Sequence, residues 1–326
     1  MAIGSGLSAQ VMIALEGSYG AATTPTQAIE FNECGLKFEP GTLESRGSGH
    51  LFLKDSRSRR YVRQAGGPLA LDFMNQGMGK LLKLMFGSVS GPTQVLATAE
   101  YVQTHTPNTS GGGAGISAVI QHGIPTVGGT VTPFTFHGCK ATAWELVQEV
   151  DQNLRLSLTI DAKPQSDRAT ALAAASYPAD LTPLAFLDAT VTLGGASVDL
   201  KTLTLSHQRA LAVDRRFLGN TKKEPIANGE WVYGGSFDKE FEDTDLYDAF
   251  VSGETAALVA TWSYGEIGAT GNPYLLVVTI PAIRYDGENP TVSGSDIAMQ
   301  RVPFKAVDNG SDPVITAEYH TSDTTL

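Results

Sequence analysis

The chain has 326 residues, 42% apolar and 17% charged, with 35 glycines and 16 prolines. That length gives room for about two domains with real cores, and the glycine and proline punctuation favours a turn-rich β protein. The formal net charge of −11 argues against a dedicated nucleic-acid binder, no apolar run reaches the ~18 residues that span a membrane, and the N-terminus has no basic segment leading into an apolar one.

In chain order, GLKFE around Leu36 reads as a first strand. It runs into RGSGHLFLKDSRSRRYVR (46–63), which carries Arg46, Lys54, Arg57, Arg59, Arg60 and Arg63 against one acid, Asp55, and reads as a basic loop. PLALDF then places Leu69, Leu71 and Phe73 on one face of a strand. GMGKLLKLMFG spaces Met78, Leu81, Leu82 and Met85 as a helical stripe that stops at Gly87. AEYVQTHT around Tyr101 reads as a strand, and 104–131, with its run TSGGGAGIS, as a flexible surface loop. NLRLSLTIDA alternates Leu154, Leu156, Leu158 and Ile160 with polar residues, a strand with one wet face. Residues 164–175 read as a short connecting helix. ATVTLGG (Val191, Leu193) and TLTLS (Leu203, Leu205) alternate again, and a second basic stretch follows at 209–223 with Arg209, Arg215, Arg216, Lys222 and Lys223. DTDLYDAFVSG gives a second helix, capped by Asp243 or Thr244 and stopped by Gly253. In LLVVTIPAIRY, Pro281 marks an edge or a bulge.

The order repeats. Leu36 and Leu203 mark equivalent strands 167 apart, Leu81 and Leu246 equivalent helices 165 apart, and the Tyr101 and Thr261 strands lie 160 apart. The pattern predicts a duplication, with residues 1–175 as a first domain carrying a glycine-rich insertion at 104–131, and 176–326 as a second. The basic stretches fall at matching positions and hold eleven of the 23 lysines and arginines, which points to a shared contact role.

Chemistry is hard to find. The glycine run lacks the Gly-Lys-Ser/Thr ending of a phosphate loop, and the six histidines show no metal-ligand spacing. Asp286 with Glu288, or Glu240 with Glu242, read as solvated charge rather than an acid/base pair. Trp144, Trp231 and Trp262 sit in strand patterns and read as core, and Cys34 and Cys139 as reduced thiols. Neither catalysis nor a cofactor is expected.

The segments LSAQVMIALE, EGSYG (Glu16, Tyr19, Gly20), Pro25 with IEF, HGCKATAWEL (137–146), FLDATVTLGG (186–195) and SGSDIAMQRVPFKAVDNGSD (293–312) occur in an order that resembles the major tail tube protein family of long-tailed, siphovirus-like bacteriophages. The resemblance covers nearly the whole chain, with 104–131 as the departure. It implies tandem tail-tube β-sandwich domains, each with one flanking helix, whose hairpins line the inner β-barrel of a ring. It implies stacked rings that conduct DNA during ejection, in a virion tail assembled in the host cytoplasm. With a duplicated chain the ring is trimeric and pseudo-hexameric; without duplication it is a hexamer. Implied partners are further copies, the tape measure protein and passing genomic DNA in the lumen, and the tail terminator and distal tail proteins at the ends, with no membrane. Another baseplate or tail protein, the tube of a contractile injection system, and a carbohydrate-binding β-sandwich are the alternatives. The basic stretches are expected to contact a neighbouring ring or subunit, with Glu242, Asp243, Asp245 and Asp248 as acidic partners.

Overall fold

The computed structural model describes residues 5–45, 51–110, 113–164, 171–219, 221–286 and 297–326. The fold is mainly β. The N-terminal half holds β1 (Gln10–Leu15), β2 (Gln27–Ile29), β3 (Glu33–Cys34), β4 (Lys37–Glu44), β5 (Ser58–Asp72), α1 (Gly79–Phe86), β6 (Gly87–Gln94), β7 (Tyr101–Pro107), β8 (Ala118–Pro125), β9 (Val131–Glu149) and β10 (Arg155–Ala162). The C-terminal half holds β11 (Ala189–Leu193), β12 (Ala196–Ser197), β13 (Thr202–Leu211), β14 (Arg216–Phe217), β15 (Thr221–Lys222), β16 (Ala227–Glu240), α2 (Asp245–Ser252), β17 (Thr255–Tyr264), β18 (Tyr274–Tyr285), β19 (Met299–Ala306) and β20 (Thr316–Thr321).

One pairing scheme occurs twice, antiparallel throughout. In the first half β4 pairs β5, β5 pairs β10, β10 pairs β9, β9 pairs β8 and β8 pairs β1. In the second half β13 pairs β16, β16 pairs β19, β19 pairs β18, β18 pairs β17 and β17 pairs β11. The long strand β9 joins the halves by pairing β13 from Ala143↔Gln208 to Glu149↔Thr202. Leu69, Leu71, Leu156, Leu158, Trp144 and Leu146 share one buried cluster with Leu203, Leu205, Phe237, Trp262 and Leu276, so the alternating strands bury the faces their sequences predict.

A glycine pair marks the same place in each half. Gly66 lies opposite Asp161, and Gly234 opposite Lys305. A Cβ would stand 2.2 Å from the Ile160 oxygen at Gly66 and 2.5 Å from the Phe304 oxygen at Gly234. At Gly67 and Gly235 it would stand 2.2 Å and 1.8 Å from the Gly35 and Thr204 oxygens. Backbones approach too closely here for any side chain. The Gly35–Thr204 correspondence puts Leu36 level with Leu205 rather than Leu203, a shift of two that keeps the same face.

Three sequence expectations change. Residues 118–125 are not loop: Ala118–His122 are buried because β8 is paired on both edges, by β1 and β9. A strand covered in this way shows no alternation, and Gln121 hides inside by donating to Thr135 Oγ1 and the Ala171 oxygen. β8 is therefore the pairing counterpart of β17, while the Tyr101 strand belongs to the added hairpin β6–β7, which pairs with the C-terminal β20. Most of the connecting helix (165–170) lies outside the described residues, and 171–175 is not helical. Both other helices form where expected, each ended by a left-handed glycine, Gly87 and Gly253. Pro281 sits at a register shift opposite Ala257, the bulge its ring demands.

Candidate assembly surfaces

The two basic stretches part company in the structure. In the first, Lys54 is exposed at a short 3-10 turn, Asp55–Arg57, and the strand β5 begins at Ser58. Arg59, Arg60 and Arg63 therefore stand on a strand, not a loop; Arg59 and Arg60 face Leu43 and Thr42 across the β4–β5 hairpin. Arg63 reaches Glu39 at 3.4 Å, both partly exposed. Arg57 is half-buried, and Arg46 lies outside the described residues. The tip also carries bare apolar side chains, Leu51 at 97% exposure and Phe52 at 84%, with Leu53 beside them.

The second stretch folds back onto its own chain. Arg209 is buried on β13, donates to the Met85 oxygen at 2.9 Å and stacks on Trp231, 4.6 Å to the ring centre. Burial lowers its pKa. Lys222 is buried and reaches both Asp161 oxygens at 2.6 Å and the Ala162 oxygen at 3.0 Å. Burial raises the Asp161 carboxyl, and Lys222 works against that rise. Glu224 from the same arm pairs with the buried Lys140 at 2.7 Å, and Lys140 also donates to the carbonyls of Ala114 and Gly115. The glycine-rich run thus lines buried cations. Arg215 donates to the Glu224 oxygen, and Arg216 to the carbonyls of Val62 and Arg63. Arg209 and Lys222 are thereby corrected from external contacts to interior ones, because an unpaired buried charge costs far more than an exposed one. Lys223 stays exposed, 4.9 Å from the Phe217 ring.

The four candidate acids cluster at the start of α2. Glu242 is exposed with Lys239 at 3.5 Å; the Asp243 carboxylate accepts from the Asp245 N–H at 3.1 Å, and Asp248 accepts from the Thr244 hydroxyl at 3.0 Å. Carboxylates there favour the positive end of the helix. No residue of α2 is buried. Val251 is 65% exposed and Phe250 40%, with Phe241 and Tyr247 beside them. Helical spacing alone does not reveal this patch, since Leu246 rests against the core while Phe250, four residues on, is exposed. The one local clue was the glycine pair: GGPLALDF (66–73) and GGSFDKEF (234–241) set Phe73 level with Phe241.

Strand directions place these surfaces. Four antiparallel steps separate β5 from β16, by way of β10, β9 and β13, so the two run the same way. Both start beside their basic stretch and end at their helix. The hairpin tip and α2 therefore lie at opposite ends of the sheet, and β5, at 15 residues, spans about 50 Å. The sheet's wet face is hollowed, with a depression of about 560 Å³ bordered by Ala143, Ser157, Ser206 and Pro303. In register Asp72 stands opposite Arg155 and Asp238 opposite Arg301, while the exposed Glu145 lies between Ser157 and Ser206.

Among the described residues no cluster of His, Cys, Asp and Glu could hold a metal ion, and no helix is long and apolar enough to cross a membrane. The described architecture is a mainly β fold with a large antiparallel sheet. A family model described as phage tail tube protein matches residues 6–306, and the chain belongs to that family. It is a structural component of the bacteriophage virion tail, and the family implies self-assembly with copies of itself and with other tail components. A search of the curated proteins returned no match.

Proposed function

We propose that the chain is a tandem duplication, three copies of which close head to tail into a pseudo-hexameric ring, and that stacked rings form the conduit for DNA ejection. One observation carries this reading. The edge of β13 is covered by β9 of the preceding half, whereas among the described residues β4, its pairing counterpart, is paired by β5 alone. An uncovered strand edge invites another strand. In the repeat β18 is the counterpart of β9, so the join made once inside the chain would recur between chains, with β18 of a second copy in the place of β9. A contact of this heterologous kind generates a ring when its rotation closes.

Eight strands from each of three copies make about 24. At ~4.8 Å spacing and ~40° tilt they enclose a barrel roughly 50 Å across, wide enough for duplex DNA. The hollowed wet face of the sheet would then be the lumen wall. Its small side chains and the exposed Glu145, with the acidic balance of the chain, would hold passing phosphates weakly. The tape measure protein would fill this lumen before ejection, with the tail terminator and distal tail proteins at the tube ends and assembly in the host cytoplasm. No cofactor enters this scheme.

Negative-stain microscopy of concentrated protein should show tubes, and rotational averages of end-on views should show six-fold outlines with three-fold detail. Protein that sediments as a monomer at every concentration, with no tubes on the grid, would overturn the reading.

A further inference from the structure

We infer that the Lys222 amine and the Asp161 carboxyl condense into an amide, a side-chain cross-link that ties the arm carrying β15 to β10. The bond would form within a single copy, whether or not copies close into a ring. The Lys222 nitrogen lies 2.6 Å from each Asp161 oxygen, and the two side chains are only 3% and 9% exposed. Around them Ala65, Ile160 and Ala162 are buried. Two more charges complete the site. Asp161 stands in register with Lys140 on β9, and the arm that sets Lys222 on Asp161 also sets Glu224 on Lys140, at 2.7 Å. Positive and negative groups thus alternate between arm and sheet.

These four groups suit an amide-forming reaction. A buried ion pair repays its desolvation poorly. Moving one proton from the ammonium to the carboxylate leaves a neutral amine and a carboxylic acid, which a dry site favours. Burial raises the Asp161 carboxyl, the direction this transfer needs. Held in contact, the amine attacks Cγ of Asp161 without having to find it by diffusion. The Nζ–Cγ bond forms and one Cγ–O bond breaks. The acid's hydroxyl leaves with one proton from the nitrogen as water, and no oxidant or second reactant enters. The Lys140 ammonium, across the register, would stabilise the negative oxygen of the tetrahedral intermediate. Glu224, partly exposed, would carry the proton from Nζ to the departing hydroxyl.

A cation held only for its charge could be arginine, whereas the amide needs a primary amine. The test is the intact mass of the full folded chain after prolonged incubation. Wild type should weigh one water less than its sequence, and digestion should release a branched peptide joining the segments around Asp161 and Lys222. Lys222→Arg should hold its full mass. Asp161→Asn should lose one ammonia in place of water, the mark of the same attack on an amide. Glu224→Gln, shown to be folded by circular dichroism, should form the link at least about a hundredfold more slowly. Full mass in wild type, or a branch joining other residues, would overturn the cross-link. A wild-type rate from Glu224→Gln would overturn the proton relay. Where a variant fails to fold, the wild-type mass and branched peptide decide alone.

Discussion

The helices α1 and α2 are the same length, follow the same kind of strand and end at the same kind of left-handed glycine, yet one is largely buried and the other rests on the core only through the half-buried Leu246 and Ala249. In α1 every residue but Lys80 and Lys83 is buried; in α2 none is. Matched at their terminal glycines, Leu81, Leu84 and Met85 stand level with Tyr247, Phe250 and Val251. Upstream, Phe73 is buried edge-on against Tyr319, while its counterpart Phe241 is exposed. The cause is the cover. The hairpin β6–β7 is added after α1, and β20 returns from the C-terminus to pair with it. Among the described residues no added hairpin does this for α2, of which Leu246 and Ala249 rest against the core. Helix formation is thus a local matter of spacing and caps, whereas burial depends on what arrives from elsewhere.

The basic stretches make the same contrast, and it can be broken experimentally. The largest effect is expected from Lys222→Met. It strands the Asp161 carboxylate in the interior and should destabilise the protomer by about 3–5 kcal/mol, whereas Lys54→Met at the outward tip should stay within about 0.5 kcal/mol. Urea unfolding of both variants under conditions that prevent assembly measures the difference. Equal shifts would mean the two stretches are not differently placed.

Next come the helices. Leu84→Ala should cost about 2–5 kcal/mol, the sum of lost burial and a cavity. Phe250→Ala should cost under about 1 kcal/mol in the single chain, because its ring is only partly covered.

Acid should attack the covered side selectively. His105 on β7 is fully buried near Phe86, and burial, with Lys83 nearby, depresses its pKa to about 3; His207 on β13 is depressed to about 3 by burial and by Arg209. In the unfolded chain both titrate near the ordinary value of about 6.5. The stability they contribute is present above that value and drains as pH falls toward 3, since only the unfolded chain binds the protons. At pH 5 each should have cost about 2 kcal/mol relative to pH 8. His105→Gln and His207→Gln should each flatten the corresponding part of the stability profile; an unchanged profile would reject the assignment.

The smallest effect belongs to the bare helix. Asp245→Asn removes a carboxylate from its positive end and should cost about 0.3–1 kcal/mol in low salt, and less in high salt. Thermal melts at two ionic strengths separate these values.

The sequence by itself determined the strands with one wet face, both helices and their glycine stops, and the bulge at Pro281, because each follows from spacing or backbone restriction within a few residues. It also carried the sign of the two basic stretches and of the acidic helix start. It did not reveal β8, whose two neighbours erase alternation, nor that Arg209 and Lys222 turn inward, since a cation's direction is set by a carbonyl or carboxylate more than 60 residues away. The tertiary structure alone decided which helix is covered and which edge is open. Periodicity says which face of an element is apolar; only the rest of the chain says whether anything is there to meet it.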